Sequence, residues 1–458
     1  MIFNIINLYR FDIYKVRACS SLLKLFSTTY IFYERNMDIN NYISINKKVL
    51  KFVGLYPICI VRYIMCCVCM ITIVIPQGMQ IYQNRQDLST VLETSSVLFT
   101  ILLALFKSLV WVSNRRKMDP FIKYMLTDYW DIMTTCISEK HTDVHIICVK
   151  KAHLFTKGYL SMICLSLTFF FSTPIIEIFI MVKSTNDNST KHFPFLALYP
   201  ESYYNFPMYE IIYLSQMVAT ISCGLVILGT DTLIATALFH TCGHFKVLQK
   251  KIKDINNEID FVQDAYIKKN VMQKIKLHMI DIIKHHYTII WFCDYMETVF
   301  SRMLFLQTLA SSLIICLVGF QIATANITVS MISKLFKYIS YLIMALFQLL
   351  LFCIPGDALI YESSMISKIV YTIAWYELPV LFKTEICLLM LRSQKPCKIT
   401  AGKFYVMHLE NFNAVSSSNK LYQSYGILAI YIVIKKKLIL IFIGIEYGCL
   451  VLHVAPQF

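Results

Sequence analysis

Residues 371–412 read YTIAWYELPVLFKTEICLLMLRSQKPCKITAGKFYVMHLENF. This stretch runs from an aromatic and acidic opening through a charged helix to a basic turn closed by Pro396, and then into the start of an apolar segment. A charged helix joined directly to the mouth of a membrane segment is the pattern of a polytopic membrane protein.

The rest of the chain follows that reading. Of its 458 residues 57% are hydrophobic, and the mean hydropathy of +0.58 is too high for a soluble protein. A membrane span needs roughly 20 apolar residues, and its backbone must satisfy its own hydrogen bonds inside a helix. Apolar segments at 58–76, 90–112, 157–182, 209–239, 298–322, 335–354 and 404–434 meet that need. The expected fold is therefore all-α, a polytopic membrane protein with seven transmembrane helices.

The net charge of +15 does not imply a nucleic-acid partner, because Lys and Arg lie between the spans, where the positive-inside rule places them. Residues 113–152 carry Arg115, Arg116, Lys117, Lys123, Lys140, Lys150 and Lys151, whereas 77–89 carry only Arg85. Residues 240–288 hold nine lysines and 323–332 hold no basic residue. That alternation predicts a cytoplasmic N-terminus and an extracellular C-terminus. Two compartment-dependent features agree with it. The Asn-X-Ser/Thr glycosylation acceptors Asn188 and Asn326 fall in predicted exterior loops. None of the sixteen cysteines lies in the three exterior loops, so they read as small apolar residues or reduced thiols and not as a disulfide framework.

The opening stretch closely resembles the C-terminal signature of insect odorant receptors: WYELP (375–379), RSQKP (392–396), TAGK (400–403) and the LENF tetrad (409–412). Two further blocks resemble the same family. One is the fourth-span exit around Asp231, His240, Cys242, Gly243 and Phe245, and the other is the fifth-span block 285–322. The resemblance runs from about Met37 to Val415. Residues 1–36 read as a gene-model extension or disordered tail, and 37–415 as the seven-helix receptor domain, with cytoplasmic anchor-forming segments at 240–297 and 355–403. In 416–458 the resemblance fades. Lys435, Lys436 and Lys437 there would stand outside against the charge rule, and a mis-spliced last exon or a long last helix with an added hairpin both remain open.

No nucleophile elbow, P-loop, HExxH motif or paired carboxylates occur, so no enzyme is expected. His240, Cys242 and His244 share a helical stretch but lack a fourth ligand, so no metal and no cofactor is expected. Charges inside spans need a partner, a cavity or an interface. Among Arg62, Glu93, Lys107, Glu177 and Asp231, Lys107 is expected to reach the inner interface and Asp231 to make a helix-to-helix hydrogen bond.

The outer halves of spans two, three, four and six are rich in aromatics and thioethers: Phe99, Phe169, Phe170, Phe171, Tyr209, Tyr213, Met217, Tyr338, Tyr341 and Met344. An apolar pocket with a few hydroxyls binds small volatile molecules by desolvation and shape, and the resemblance places the odorant there. His408, Asn411, Val415, Ser418 and Tyr422 approximate one polar stripe of the seventh span, suited to a water-filled path. The resemblance further implies a heterotetramer with an odorant co-receptor subunit around a central cation pore, in the plasma membrane of an olfactory neuron dendrite. Trp375, Tyr376, Arg392, Lys395 and Lys403 would then serve the cytoplasmic anchor, subunit contacts or membrane lipid. A gustatory receptor of the same superfamily and a G-protein-coupled receptor are the alternatives. RSQKP and TAGK argue against the first, and the predicted N-terminus inside argues against the second.

Overall fold

The computed structural model describes residues 40–126, 142–184, 193–259, 268–324, 332–378 and 380–411. They form nine helices, α1 (Asn40–Val53), α2 (Ile60–Gln83), α3 (Leu88–Ser113), α4 (Arg115–Leu126), α5 (Thr142–Ser184), α6 (Met208–Ile259), α7 (Lys268–Thr324), α8 (Ile332–Thr372) and α9 (Val380–Ser393), and one small hairpin of β1 (Thr400–Ala401) with β2 (Tyr405–Val406). Six of the described helices, α2, α3 and α5 to α8, are long and apolar enough to cross a membrane. The predicted seventh span lies mostly outside the described residues, as do residues 1–36, Asn188 and Asn326.

Local chemistry explains how the helices begin and turn. Asp87 caps α3 by accepting from Ser89 N at 3.1 Å and Thr90 Oγ1 at 2.5 Å, which satisfies an N–H that the helix start leaves unpaired. Between α1 and α2 the chain reverses at Gly54, whose φ of +84° and nearness to the Cys59 carbonyl exclude a side chain. The turn is held from α3, where Trp111 Nε1 donates to Leu55 O at 3.2 Å.

The centre of the bundle is α6, which packs against α2, α3, α5, α7 and α8. Residues 226–245 are buried on every side, as a helix apolar all round requires. In contrast, α2 presents Ile60, Val61, Ile64, Met65, Val68, Ile71, Ile75 and Met79 on its outer surface, the face that lipid covers.

The predicted spans are shorter than the helices that contain them. With 52 and 57 residues, α6 and α7 reach about 80 Å at 1.5 Å per residue, against roughly 30 Å of hydrocarbon. The basic segments 240–259 and 268–297 therefore continue the membrane helices as rigid extensions. Lys251 Nζ to Asp281 Oδ2 at 2.5 Å joins α6 to α7, and Lys246 Nζ to Glu362 Oε1 at 3.2 Å joins α6 to α8.

The predicted start of the seventh span also needs correction. Residues 404–406 belong to the hairpin, with Phe404 90% exposed, and helix resumes only at Leu409. The TAGK motif makes the hairpin turn, since Gly402 (φ 64°) and Lys403 (φ 67°) supply the consecutive positive dihedrals that a tight reversal demands.

Candidate functional site

Near the end of the bundle that carries residues 193–207, α3, α5, α6 and α8 diverge and leave a cavity. Its volume is about 80 Å³, smaller than the roughly 300–1,000 Å³ usual for small-molecule sites. Helix α5 contributes Tyr159, Ile163, Ser166 and Phe170, spaced to fall on one face. Thr100 and Ile101 come from α3, Thr220, Cys223 and Ile227 from α6, and Tyr341, Met344 and Gln348 from α8, while α7 touches the cavity through Ile314. Phe195 closes the side formed by the connecting segment, stacking on Phe170 with ring centroids 5.0 Å apart. Gln216 holds that segment in place, accepting from Phe195 N at 3.1 Å and donating to Phe195 O at 3.3 Å.

Two charged clusters bracket the cavity. Toward the outer rim, Glu93 of α3 accepts from Lys337 Nζ and Tyr338 Oη of α8, each at 2.8 Å, and Lys337 Nζ lies 4.6 Å from the Phe170 ring centroid. Beneath the cavity, Lys107 of α3 pairs with Asp231 Oδ1 of α6, both side chains 1% exposed or less. Gln348 Nε2 donates to Asp231 Oδ2 at 2.8 Å and to Gln307 Oε1 at 3.1 Å, and Gln307 Nε2 donates to Ser311 Oγ at 2.6 Å. The expectation that Lys107 snorkels to the inner interface is thus overturned. A carboxylate on the neighbouring helix face satisfies it inside the bundle, so it need not reach water. The hydrogen bond expected of Asp231 is present, and it extends across four helices.

Of the sequence-selected aromatics and thioethers, Phe170, Tyr341 and Met344 border the cavity. Phe99 points outward and is 37% exposed; Phe169 and Met217 are half-buried and do not line the cavity. Tyr209 stacks on Phe193 at 5.0 Å, and Tyr213 Oη donates to Phe171 O at 2.7 Å, so both support the connecting segment. Tyr338 serves the Glu93 cluster. Sequence reasoning missed Thr100, Tyr159, Ser166, Cys223 and Gln348. The spacing of Tyr159, Ile163, Ser166 and Phe170 was the available signal, since it puts two hydroxyls on the face of a residue already singled out.

At the other end of the bundle His240 and His244 approach His145 of α5, with ring centroids at 5.6 and 4.6 Å. Among the described residues no His, Cys, Asp or Glu cluster is arranged to hold a metal. His408 Nδ1 accepts from Asn411 N at 2.9 Å, and Asn411 Nδ2 donates to Val406 O at 2.9 Å, so these two shape the start of the last described helix. Val415, Ser418 and Tyr422 lie outside the described residues. Trp375 and Tyr376 form a 3₁₀ turn ahead of α9. Arg392 Nη1 donates to Lys395 O at 3.2 Å, and Arg392, Lys395 and Lys403 all face outward.

The hairpin that follows is fastened to one stripe of α7. Thr400 donates to both oxygens of Glu297, from N at 2.8 Å and from Oγ1. Gly402 N donates to Ser301 O at 3.0 Å, and Gly402 lies against the Phe305 ring. Glu297→Ala removes two hydrogen bonds to a charged acceptor, each worth about 1.5–3 kcal/mol. It is expected to lower the melting temperature of the purified chain by several degrees, with Glu297→Gln intermediate. Equal melting temperatures for all three would show that the hairpin is held some other way.

These features define a multi-pass helical membrane protein built around a buried, mainly apolar cavity. Residues 87–418 match the 7tm Odorant receptor family, and the chain belongs to that family, one of receptors and not of enzymes. It is 29% identical over 259 residues to Odorant receptor 13a of Drosophila melanogaster, a match covering 54% of this chain and 59% of that relative's length. It is 24% identical over 355 residues to Odorant receptor 67c of the same organism, covering 76% and 82%. The fold is similar to that of the insect olfactory receptor OR5 from Machilis hrabei in complex with eugenol, with a TM-score of 0.68 at 13% identity over 86% of this chain and 98% of that one.

Proposed function

We propose that the chain is the ligand-binding subunit of an odorant-gated, non-selective cation channel, formed with an odorant co-receptor as a heterotetramer in the plasma membrane of olfactory neurons. The observation that carries this reading is the cavity among α3, α5, α6 and α8, in a family of odorant receptors. The eugenol complex of the structurally similar OR5 supports it. In this reading Phe170, Tyr341 and Met344 touch the ligand, and the N-terminus is cytoplasmic. His408, Asn411, Val415, Ser418 and Tyr422 belong to the pore helix. Trp375, Tyr376, Arg392, Lys395 and Lys403 meet neighbouring subunits or the inner leaflet, and Asn188 and Asn326 accept glycans. A ligand opens the pore only to the extent that it binds the open arrangement more tightly than the closed one.

The test is voltage-clamp recording from cells expressing the chain with and without an odorant co-receptor, against a broad volatile panel. A rapid cation current that needs both the co-receptor and a volatile, and that survives G-protein block, is the expected result. Surface-expressed protein that stays silent to the whole panel would count against the channel reading, and a current abolished by G-protein block would favour a coupled receptor.

A further inference from the structure

Polar groups lining an apolar cavity declare what the cavity is built to hold, because a buried donor left unpaired costs free energy that a folded protein seldom tolerates. Most polar atoms around this cavity are already occupied. Thr100 Oγ1 and Tyr341 Oη bond to one another, and both lie within hydrogen-bond reach of Ser96 O, at 3.1 and 3.0 Å, so that one of them donates there. Thr220 Oγ1 donates to Gln216 O at 2.8 Å, Cys223 Sγ to Thr100 O at 3.8 Å, and Gln348 is committed to Asp231 and Gln307.

Tyr159 differs. Its side chain is fully buried, it lines the cavity, and among the described residues its hydroxyl has no hydrogen-bond partner. The ring is fixed on its other side by stacking on Phe347 at 6.0 Å. The hydroxyl stands within electrostatic range of Asp231, Cys223 and Tyr341. A buried phenol, held by its ring and with no protein partner for its O–H among the described residues, is a preorganised donor.

Resting on the reading of this cavity as the odorant site, we propose that the Tyr159 hydroxyl is its specificity-determining hydrogen-bond donor. It selects small volatiles that carry an accepting oxygen, such as ketones, esters and alcohols, over hydrocarbons of the same shape. Apart from the Ser166 hydroxyl, the remaining walls, Ile163, Phe170, Phe195 and Met344 among them, offer contact area without polar discrimination. A site built to satisfy a hydrogen bond rejects the analogue lacking it far more strongly than an apolar wall rejects a missing methylene.

The experiment compares the full-length chain with Tyr159→Phe, each purified with the co-receptor. It records ligand-induced thermal stabilisation by straight-chain ketones, esters and alcohols of six to ten carbons and by alkanes of matching length. The native chain is expected to be stabilised by at least one oxygenated probe at a concentration about tenfold below that needed for its alkane, and Tyr159→Phe is expected to erase that ratio. Without ligand, Tyr159→Phe should match or exceed the native melting temperature, because it deletes an unsatisfied group.

An oxygenate-to-alkane ratio near one in the native chain, a ratio unchanged in Tyr159→Phe, or a lowered melting temperature of the unliganded variant would each overturn the assignment. Stabilisation is read without current. Selective stabilisation with electrical silence would therefore sink the channel reading and leave the donor assignment standing, and odorant-gated current without selectivity would do the reverse.

Discussion

Asp231→Ala will leave little folded receptor. The substitution strands Lys107, 1% exposed and held by that carboxylate, and it deprives Gln348 Nε2 of its 2.8 Å acceptor. Breaking a buried pair from one side costs about 3–5 kcal/mol, a large share of the roughly 5–15 kcal/mol that holds a folded domain together. Lys107→Ala should cost less, since Asp231 keeps the amide of Gln348 and the hydroxyl of Thr230, the latter at 3.3 Å. The double variant Lys107→Met with Asp231→Leu removes both charges and keeps volume, so it should be more stable than Asp231→Ala alone. Fluorescence-detected size exclusion after a heat step reads this order, and measuring Lys107→Met and Asp231→Leu singly beside their double variant closes a double-mutant cycle. If the two single substitutions add in the double variant, the pair is not coupled and the description of the cluster fails.

The second large effect is expected at Gly356. It sits in α8 immediately after Pro355, where the Met407 backbone crosses the helix. A Cβ placed there would stand well inside contact with the Met407 carbonyl oxygen and 3.2 Å from its carbonyl carbon. Backbone cannot rotate away as a side chain does, so Gly356→Ala must displace either the hairpin or α8, at the upper end of the roughly 1–3 kcal/mol typical of overpacking. Gly78 of α2 makes the control, because a methyl group there would have nothing within 4 Å of it. Gly78→Ala should be neutral or slightly stabilising, as helix propensity dictates. Odorant-evoked current per surface receptor, measured for both, should fall steeply for Gly356→Ala and hold for Gly78→Ala. Equal currents would mean that the hairpin is free to shift without consequence.

Hydropathy made the six described spans legible, because an apolar run of about 20 residues crosses lipid as a helix that satisfies its own backbone. Their true lengths were not legible. The lysine-rich turns of α6 and α7 look like loops to an apolar window, yet Lys, Gln and Ile sustain a helix well when neighbouring extensions pair with it. Asp231 and Lys107 each announced a need for a partner, but they are 124 residues apart, and only the packing of α3 on α6 shows that they satisfy one another.

The aromatic count misled in a specific way. Tyr209, Tyr213 and Tyr338 are dense in sequence but serve the connecting segment and the rim cluster. Tyr159, which lines the cavity, stands among residues less conspicuous in sequence. What separates Tyr159 from Tyr213 and Tyr338 is that its hydroxyl has no protein partner among the described residues, and a sequence does not display that.

The hairpin of residues 400–406 has a mechanical meaning of its own. Its two strands are too short to stabilise anything as a sheet, yet Thr400, Gly402 and Met407 are pinned to α7 and α8 by Glu297, Ser301 and the bare backbone at Gly356. Such a joint behaves as a dowel between two shafts, fixing angle as well as position. The chain leaving residue 407 inherits its azimuth from helices that also border the cavity, so a rotation of either shaft is handed on without slack.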